Sequence, residues 1–377
     1  MKEMDHILGL WRRTIQARES AVLATVVKTQ GSSYRLPGAH LMVTGTGERA
    51  GSVSGGCLED DIVKKAWWLT ENGPSIRRYD TTPDGEIATA GYGLGCNGTI
   101  DVLLERIRPG EWSVLNLAEQ VKTTRRSACL AFLIEPRKAL GQRLVVDTEG
   151  TVFQNVTDSQ VASVMEIHAR ETLSQGASRR VAMENGEVFV EVLLPAVRLA
   201  VFGAGDDAKP LAEIAKFLGW QVFVVDGRAH YATPERFAFA DTVAVRRAGD
   251  SRTWIDPWTV AVIMNHSYSQ DLEVLRELSE VPLRYLGLLG PRKRALQLFE
   301  DAGLDERRLG PALHSPMGLD IGADGPEQVA VAIIAEIQAT LNGRAGGPLR
   351  QRAGSIHSLE ADTAERTQSW VHSIACA

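Results

Sequence analysis

The sequence predicts an α/β protein in two parts: an N-terminal α+β domain with a mixed sheet over residues 1–195, and a C-terminal Rossmann-like domain with a doubly wound parallel sheet over residues 196–341, followed by a tail, 342–377. Three observations carry this. Apolar, β-branched runs broken by Gly/Ser turns crowd residues 21–105; strands alternate with helices after Pro195; and a glycine fingerprint, GAGDDA, joins the first strand of the second part to its first helix. Alternation of strands with helices of about 10 to 15 residues implies βαβ units.

The elements follow in order. Ile7, Leu8, Leu10, Trp11 and Ile15 sit at helical spacing near the start, with no cleavable apolar core, so the segment reads as a helix rather than a leader. The stretches AVLATVVKTQGSSYRLPGAHLMV, GERAGSVSGGCLEDDIVKKAWW and ATAGYGLGCNGTIDVLLE each read as a strand leading through a loop into a strand or helix, with a helix starting near Leu58. Residues 130–134, 143–146 and 188–194 read as strands and 158–174 as a helix, together completing the first domain's sheet. Pro195 marks the boundary, because proline ends a strand and restricts its predecessor. Beyond it come RLAVFG, a helix over 207–218, QVFVVD, TVAVIMN, a helix from Leu272, RYLGLLG, a helix from Pro291 and a last helix over 326–341, with Asp324 as its possible cap. The tail, containing GRAGGPLRQRAGS, reads as a linker or loosely docked end, and no internal repeat is evident.

Composition narrows the function classes. With 41 Lys+Arg against 47 Asp+Glu the net charge is -6, which does not suit a general nucleic-acid binder. No apolar run approaches the roughly 18 residues of a membrane span. The four cysteines, at 57, 96, 129 and 376, are scattered and show no zinc spacing, which fits a reducing cytosol.

Two sets of residues carry candidate chemistry. In the second part, Gly203 makes the tight turn, Gly205 lets backbone approach a phosphate, Ala208 allows close helix packing, and Asp226 stands where a ribose hydroxyl is held. Asp206 and Asp207 favour the helix dipole but repel a pyrophosphate, so the pattern is a stronger sign of the fold than of NAD(P). His266, at a strand's carboxyl end, is either a ligand contact or a loop-stabilising hydrogen-bonder, and Arg292, with Lys293 and Arg294 at a helix start, is either an anion site or a solvated turn. His314 and Asp320 sit in a turn-rich stretch before the last helix.

In the first part, Ser54, Gly55, Gly56 and Cys57 lie just before a helix, where a thiolate is stabilised by the dipole, while Glu59 and Asp60 work against it. Cys96 follows another glycine-rich turn. Free cysteine more often behaves as a small buried hydrophobe, the reading that suits Cys129 in SACLAFLI, while Cys376 reads as incidental. Ser32, Ser33 and Arg35 add hydroxyls and a guanidinium suited to an anionic group, or form a solvated hairpin loop.

The ordered set ATVVKTQGSSYRLPGA, AGSVSGGCLE, GLGCNGTIDVLLE, RLAVFGAGDDA, VVDGR, MNHSYSQDLEVLRELSEVPLRYLGLLGPRKR and HSPMGLDIGADGPEQVAVAIIAEI resembles the XdhC/CoxI family over about residues 22–338. These are accessory proteins of xanthine and carbon monoxide dehydrogenases. The resemblance implies a chaperone that carries the molybdenum cofactor (molybdopterin), presents it for sulfuration by a cysteine desulfurase, and helps insert it into an apo molybdenum hydroxylase, acting as a homodimer. Cys57 of SGGC and Cys96 of GLGC match the family's glycine-cysteine motifs, and Gly203 and Gly205 its Rossmann loop. GAGDDA stands where many relatives have a GAGHVG-like loop, and Asn265-His266 where many have threonine-histidine. The expectation is a cytoplasmic, cofactor-binding maturation factor rather than a turnover enzyme. The alternative is an NAD(P)-dependent oxidoreductase using the GAGDDA domain.

Overall fold

The structure is a computed structural model that describes residues 2–31, 33–56, 58–80, 98–184, 186–245, 254–281, 283–304 and 312–352. Among these residues the chain forms two compact units, Glu3–Pro195 and Ala196 onward together with Lys2.

In the first unit the order is α1 (Lys2–Gln16), β1 (Ala21–Gly31), β2 (His40–Thr44), β3 (Arg49–Gly51), α2 (Glu59–Leu69), β4 (Ser75–Asp80) and β5 (Gly98–Ile107). It then continues as α3 (Val114–Thr124), β6 (Ala128–Glu135), β7 (Arg143–Asp147), β8 (Thr151–Gln154), α4 (Ser159–Gln175), β9 (Arg179–Met183) and β10 (Gly186–Leu193). The expectation that residues 128–193 complete the first sheet is corrected here. They build a second one: the two antiparallel sheets have the orders β3-β2-β1-β5-β4 and β8-β7-β6-β10-β9.

The two orders are one order written twice, so the unit is an internal duplication of a helix-βββ-helix-ββ repeat, which the sequence itself does not make evident. Register confirms the correspondence. Leu23 lies opposite Glu105 and Thr25 opposite His40; in the second copy Leu130 lies opposite Glu191 and Phe132 opposite Arg143. Alternation along the strands does the rest, because successive side chains face opposite sides. Ala21, Leu23, Met42 and Leu103 face Ala128, Leu130, Val145 and Phe189 in one shared core, capped by Leu8, Trp11, Leu115 and Leu117 of α1 and α3. Val22, Ala24, Leu41 and Val102 turn outward under Ile62 of α2, and Cys129, Ala131, Leu144 and Val188 under Met165 of α4. Each fully buried Leu or Val contributes about 1.5–3 kcal/mol.

Ion pairs tie the copies together, and those of His40 and Arg143 below are reciprocal, as a local twofold requires. Arg12 of α1 reaches Glu119 of α3, and Lys122 of α3 reaches Asp5 of α1. His40 pairs across the sheets with Glu191, and its counterpart Arg143 with Glu105. Cys129, expected to be structural, is a buried free thiol whose pKa is pushed up by burial and then by Glu191.

The second unit carries β11 (Arg198–Phe202), α5 (Ala208–Phe217), β12 (Gln221–Asp226), β13 (Thr242–Val245), β14 (Thr259–Ile263), α6 (Tyr268–Leu278), β15 (Leu286–Leu288), α7 (Arg292–Ala302), β16 (Leu313–His314) and α8 (Pro326–Leu341). The sheet is parallel in the order β13-β12-β11-β14-β15-β16, the Rossmann order 3-2-1-4-5-6. β11 and β14 are buried along their whole length because both sheet faces are covered, which is why they read as continuous apolar runs. Gly325, rather than Asp324, caps α8, with Pro326 in its first turn.

Candidate functional site

The glycine-rich connections of the first copy belong to one end of its sheet. Gly31 at the end of β1 pairs with Gly98 at the start of β5; Gly51 at the end of β3 pairs with Leu41; Asp80 at the end of β4 pairs with Thr99. Residues 32–39, 52–58 and 81–97 join those ends. Ser32, Cys57 and Cys96 lie outside the described residues. In the second copy the same connections are residues 136–142, 155–158 and 184–185. Between the equivalent strand ends and helix residues Ile62 and Met165 the two copies are equally long, so what differs there is where the helix begins; the 81–97 connection, by contrast, is 17 residues in the first copy and two in the second.

The Ser52–Gly56 turn wraps around a carboxylate from its own chain. Oε1 of Glu59 accepts from Ser52 Oγ at 2.7 Å, from the amides of Val53 at 3.0 Å and Ser54 at 2.9 Å, and from Gly55 at 3.4 Å. Oε2 accepts from the Ser54 hydroxyl and from the Gly56 amide at 2.9 Å. Glu59 is 3% exposed. Burial by itself would raise its pKa, but the Ser54 and Ser52 hydroxyls and the loop amides outweigh it and bring the carboxyl from 4.5 down to about 2. Successive amides converging on one anion form a nest. Read from the sequence, Ser54, Gly55 and Gly56 lead into a thiolate-stabilising helix start and Glu59 is a charge that works against the thiolate; the structure gives these groups to each other.

A second loop lies on the first. Gly55 adopts φ +104°, and a Cβ there would stand 2.9 Å from the Tyr34 ring, so only glycine lets Tyr34 rest on this turn. Tyr34 itself is 69% exposed. Ser33 Oγ donates to the carbonyl of Arg35 at 2.7 Å, and the Arg35 guanidinium is ion-paired with Glu3 of α1. Ser33 and Arg35 thus brace the loop, and its outward face is the aromatic ring.

In the second unit Gly203, Gly205, Asp226 and His266 come together where strand order reverses between β11 and β14, the usual ligand crevice of such sheets. Gly203 at φ +125° approaches the Met264 backbone so closely that no Cβ fits. Asp226 is buried, and both its oxygens are taken: Oδ2 accepts from the Ala204 amide at 2.7 Å and from Arg228, and Oδ1 from the Arg228 amide and Nε. Burial would raise its pKa; Arg228 and the two amides hold it low. A ribose diol would have to displace Arg228. The Asp207 carboxylate lies against the Cα of Gly205, on the face a pyrophosphate would use, and its Oδ2 meets His266 Nε2 at 2.8 Å. His266 holds φ +57°, a conformation that costs a non-glycine residue of order 1 kcal/mol and clusters at functional sites. Arg292 is exposed on the first turn of α7, while Arg294 is engaged by Asp271, which also holds Asn265.

Comparison with known proteins places this architecture. The family model described as the XdhC Rossmann domain matches residues 199–337, and that described as the XdhC and CoxI family matches residues 14–80. A curated relative from Bacillus subtilis (strain 168), described as a probable xanthine dehydrogenase subunit, is 31% identical over 329 residues, covering 86% of this chain and 94% of its own. The chain belongs to the XdhC and CoxI family. The molybdenum cofactor insertion chaperone PaoD of Escherichia coli (strain K12) is 24% identical over 88% of each chain. A crystal structure described as a xanthine dehydrogenase from Bacillus halodurans superposes with a TM-score of 0.74 at 29% identity, covering 91% of this chain and 98% of that one.

Three features of this XdhC-family chain have no signal in its sequence spacing. Glu59 is one, since a carboxylate folding back on preceding amides follows no periodic pattern. His314 is another: marked in the sequence only as part of a turn, it pairs with Glu336 at 3.3 Å and stacks on Tyr285, whose hydroxyl donates to the same carboxylate at 2.6 Å. The third is a cavity of about 350 Å³ bordered by Glu105, Arg106, Trp112 and Arg143, which none of the candidate site residues lines. Among the described residues no group of three His, Cys, Asp or Glu side chains is placed to hold a metal ion.

Proposed function

We propose that this XdhC-family protein binds molybdenum cofactor as cargo, assists its sulfuration, and delivers it to an apo molybdenum hydroxylase of the xanthine dehydrogenase type. The observation that carries this is the match along 88% of both chains to a relative named a molybdenum cofactor insertion chaperone. The long 81–97 connection of the first copy supports it, because the second copy joins the equivalent strands with two residues. The exposed Tyr34 ring, fixed on Gly55, suits stacking against a planar pterin. Cys57 and Cys96 are the thiols proposed to face molybdenum, a soft-ligand role. A cysteine desulfurase as sulfur donor, a homodimeric state and a cytoplasmic location complete the proposal. No helix among the described residues is long and apolar enough to cross a membrane.

The occupied Asp226 and the Asp207–His266 pair weigh against the NAD(P) alternative, since a dinucleotide would have to break both. Purified protein mixed with molybdenum cofactor, and separately with NADH, is expected to retain molybdenum and pterin fluorescence after desalting and to leave nicotinamide unbound. Tight nicotinamide binding without cofactor retention would overturn the proposal. Tyr34→Ala is expected to weaken cofactor retention about tenfold, roughly 1.4 kcal/mol, the scale of an aromatic stack. Cys57→Ala and Cys96→Ala should each lower retention or transfer while leaving the melting temperature unchanged.

A further inference from the structure

We infer that Glu59 is the positioning residue of this site: it supplies, from inside the chain, the anion around which the Ser52–Gly56 turn is built, so that the turn reaches its cargo already shaped and does not serve as a cradle for the cargo's phosphate. The inference deepens the proposed function and rests on it only where cargo is concerned.

Four observations on different atoms converge. Both oxygens of Glu59 are used, and the donors come from consecutive residues, Ser52 to Gly55 on Oε1, with Ser54 and Gly56 closing on Oε2. The carboxylate is buried, yet it is held ionised well below neutral pH, so it is not displaced by protonation in any physiological range. Gly55 and Gly56 take φ +104° and +122°, conformations that the nest geometry requires and that other residues resist. The fourth observation is the duplication, which provides a control within the same molecule. At the start of the equivalent helix in the second copy, which begins about one turn earlier, Asp158 is an ordinary helix cap, accepting from the amides of Gln160 and Val161 that follow it. In the first copy the acid stands after the N-cap, and it accepts instead from amides that precede the helix. The two helix starts are thus built differently, and only the first copy turns an acid backward onto the preceding loop.

The consequence for recognition is specific. Amides that already donate to a carboxylate offer nothing to a second anion, so what the turn presents is its outer surface and the Tyr34 ring seated on Gly55. Glu59 therefore acts through the loop and touches no cargo atom itself.

The test compares the parent with Glu59→Asp, Glu59→Gln and Glu59→Ala, with and without sodium formate at concentrations up to about 0.2 M. Two readouts are taken: retained cofactor, and the rate and pH midpoint of iodoacetamide alkylation of Cys57, resolved by peptide mass spectrometry. Released amides and the loss of a nearby negative charge favour a thiolate, so Glu59→Gln and Glu59→Ala are expected to lower the alkylation midpoint by about one pH unit. Cofactor retention should drop at least tenfold, with Glu59→Asp intermediate. Formate, a carboxylate small enough to enter the vacated nest, is expected to return Glu59→Ala toward the parent on both readouts. An alkylation midpoint unchanged in folded Glu59→Gln and Glu59→Ala, or no response of Glu59→Ala to formate, would overturn the inference. A shifted midpoint with undiminished cofactor retention would uphold Glu59 as the organiser of the turn and reject the cargo reading instead. Should Glu59→Ala fail to fold, Ser54→Ala, which removes one donor to Oε2, is expected to shift the midpoint in the same direction by a smaller amount, and an unchanged midpoint there would overturn it.

Discussion

An imidazole between two sheets answers to pH in a way its counterpart guanidinium cannot. His40 and Arg143 occupy matching places in the two copies, and their partners Glu191 and Glu105 match as well. Burial pushes the pKa of His40 down; Glu191 at 2.7 Å, with more distant help from Glu3 and Glu105, pushes it up further, and the net result is raised above 6.5. Its other nitrogen meets the Thr25 hydroxyl at 3.0 Å. A raised folded-state pKa means the pair contributes fully below about pH 6.5 and that the contribution is lost as pH rises through the folded value. Above it a lone buried carboxylate remains, and one oxygen of Glu191 already has no hydrogen-bond partner. Denaturant unfolding of the parent is therefore expected to show declining stability from neutral to alkaline pH. His40→Ala should cost about 3–5 kcal/mol at pH 6, the usual penalty for unpairing a buried charge. If the variant unfolds with the parent's midpoint at that pH, the pair is not what holds the sheets together.

Elements differ in how much of them the sequence discloses. The parallel strands are easy to read, because RLAVF and TVAVI are covered on both faces and appear as unbroken apolar runs. Antiparallel strands such as β8 and β9 leave little trace; they are short and largely exposed, and alternation over so few residues carries little information. The candidate site is legible in its glycines and illegible in its partners. Gly203 and Gly205 stand where the fingerprint puts them, but that Asp226 is saturated by Arg228, or that Asp207 leans over Gly205, depends on side-chain directions that spacing does not encode. The β11–α5 turn has the narrowest tolerance in the second unit. Gly203→Ala would need φ +125° and would drive a methyl into the Met264 carbonyl. The expected cost is about 2–4 kcal/mol, seen as a lower melting temperature. A parent-like melt would mean the turn can relax away from β14.

At the scale of the molecule, the duplication is hidden in the sequence because it survives in few identities. Ala21, Leu23, Ala24, Leu41, Val43, Val102 and Glu105 correspond to Ala128, Leu130, Ala131, Leu144, Val146, Val188 and Glu191, matched by register across the paired strands. A sheet asks for alternation and volume rather than for particular residues, so most positions were free to drift. The two copies nevertheless allow a direct experiment. Replacing residues 81–97 with residues 184–185 should leave the melting temperature within a few degrees, because the second copy makes the same hairpin with that turn. Cofactor retention should be lost. Collapse of the fold would show that the long connection is a structural part of the first sheet.

The crossed pairs His40–Glu191 and Arg143–Glu105 say something about origin as well as stability. A surface whose acid meets the base of its own equivalent is what two identical protomers use when they associate about a twofold axis. The first unit is such an association written on a single chain. Fusion lifts the requirement that both partners stay alike: one copy can keep the short turns that hold the architecture, leaving its twin to acquire a loop coiled around an internal carboxylate. Asymmetry of this kind is closed to a true homodimer, in which every gain of function at one end is also imposed on the other.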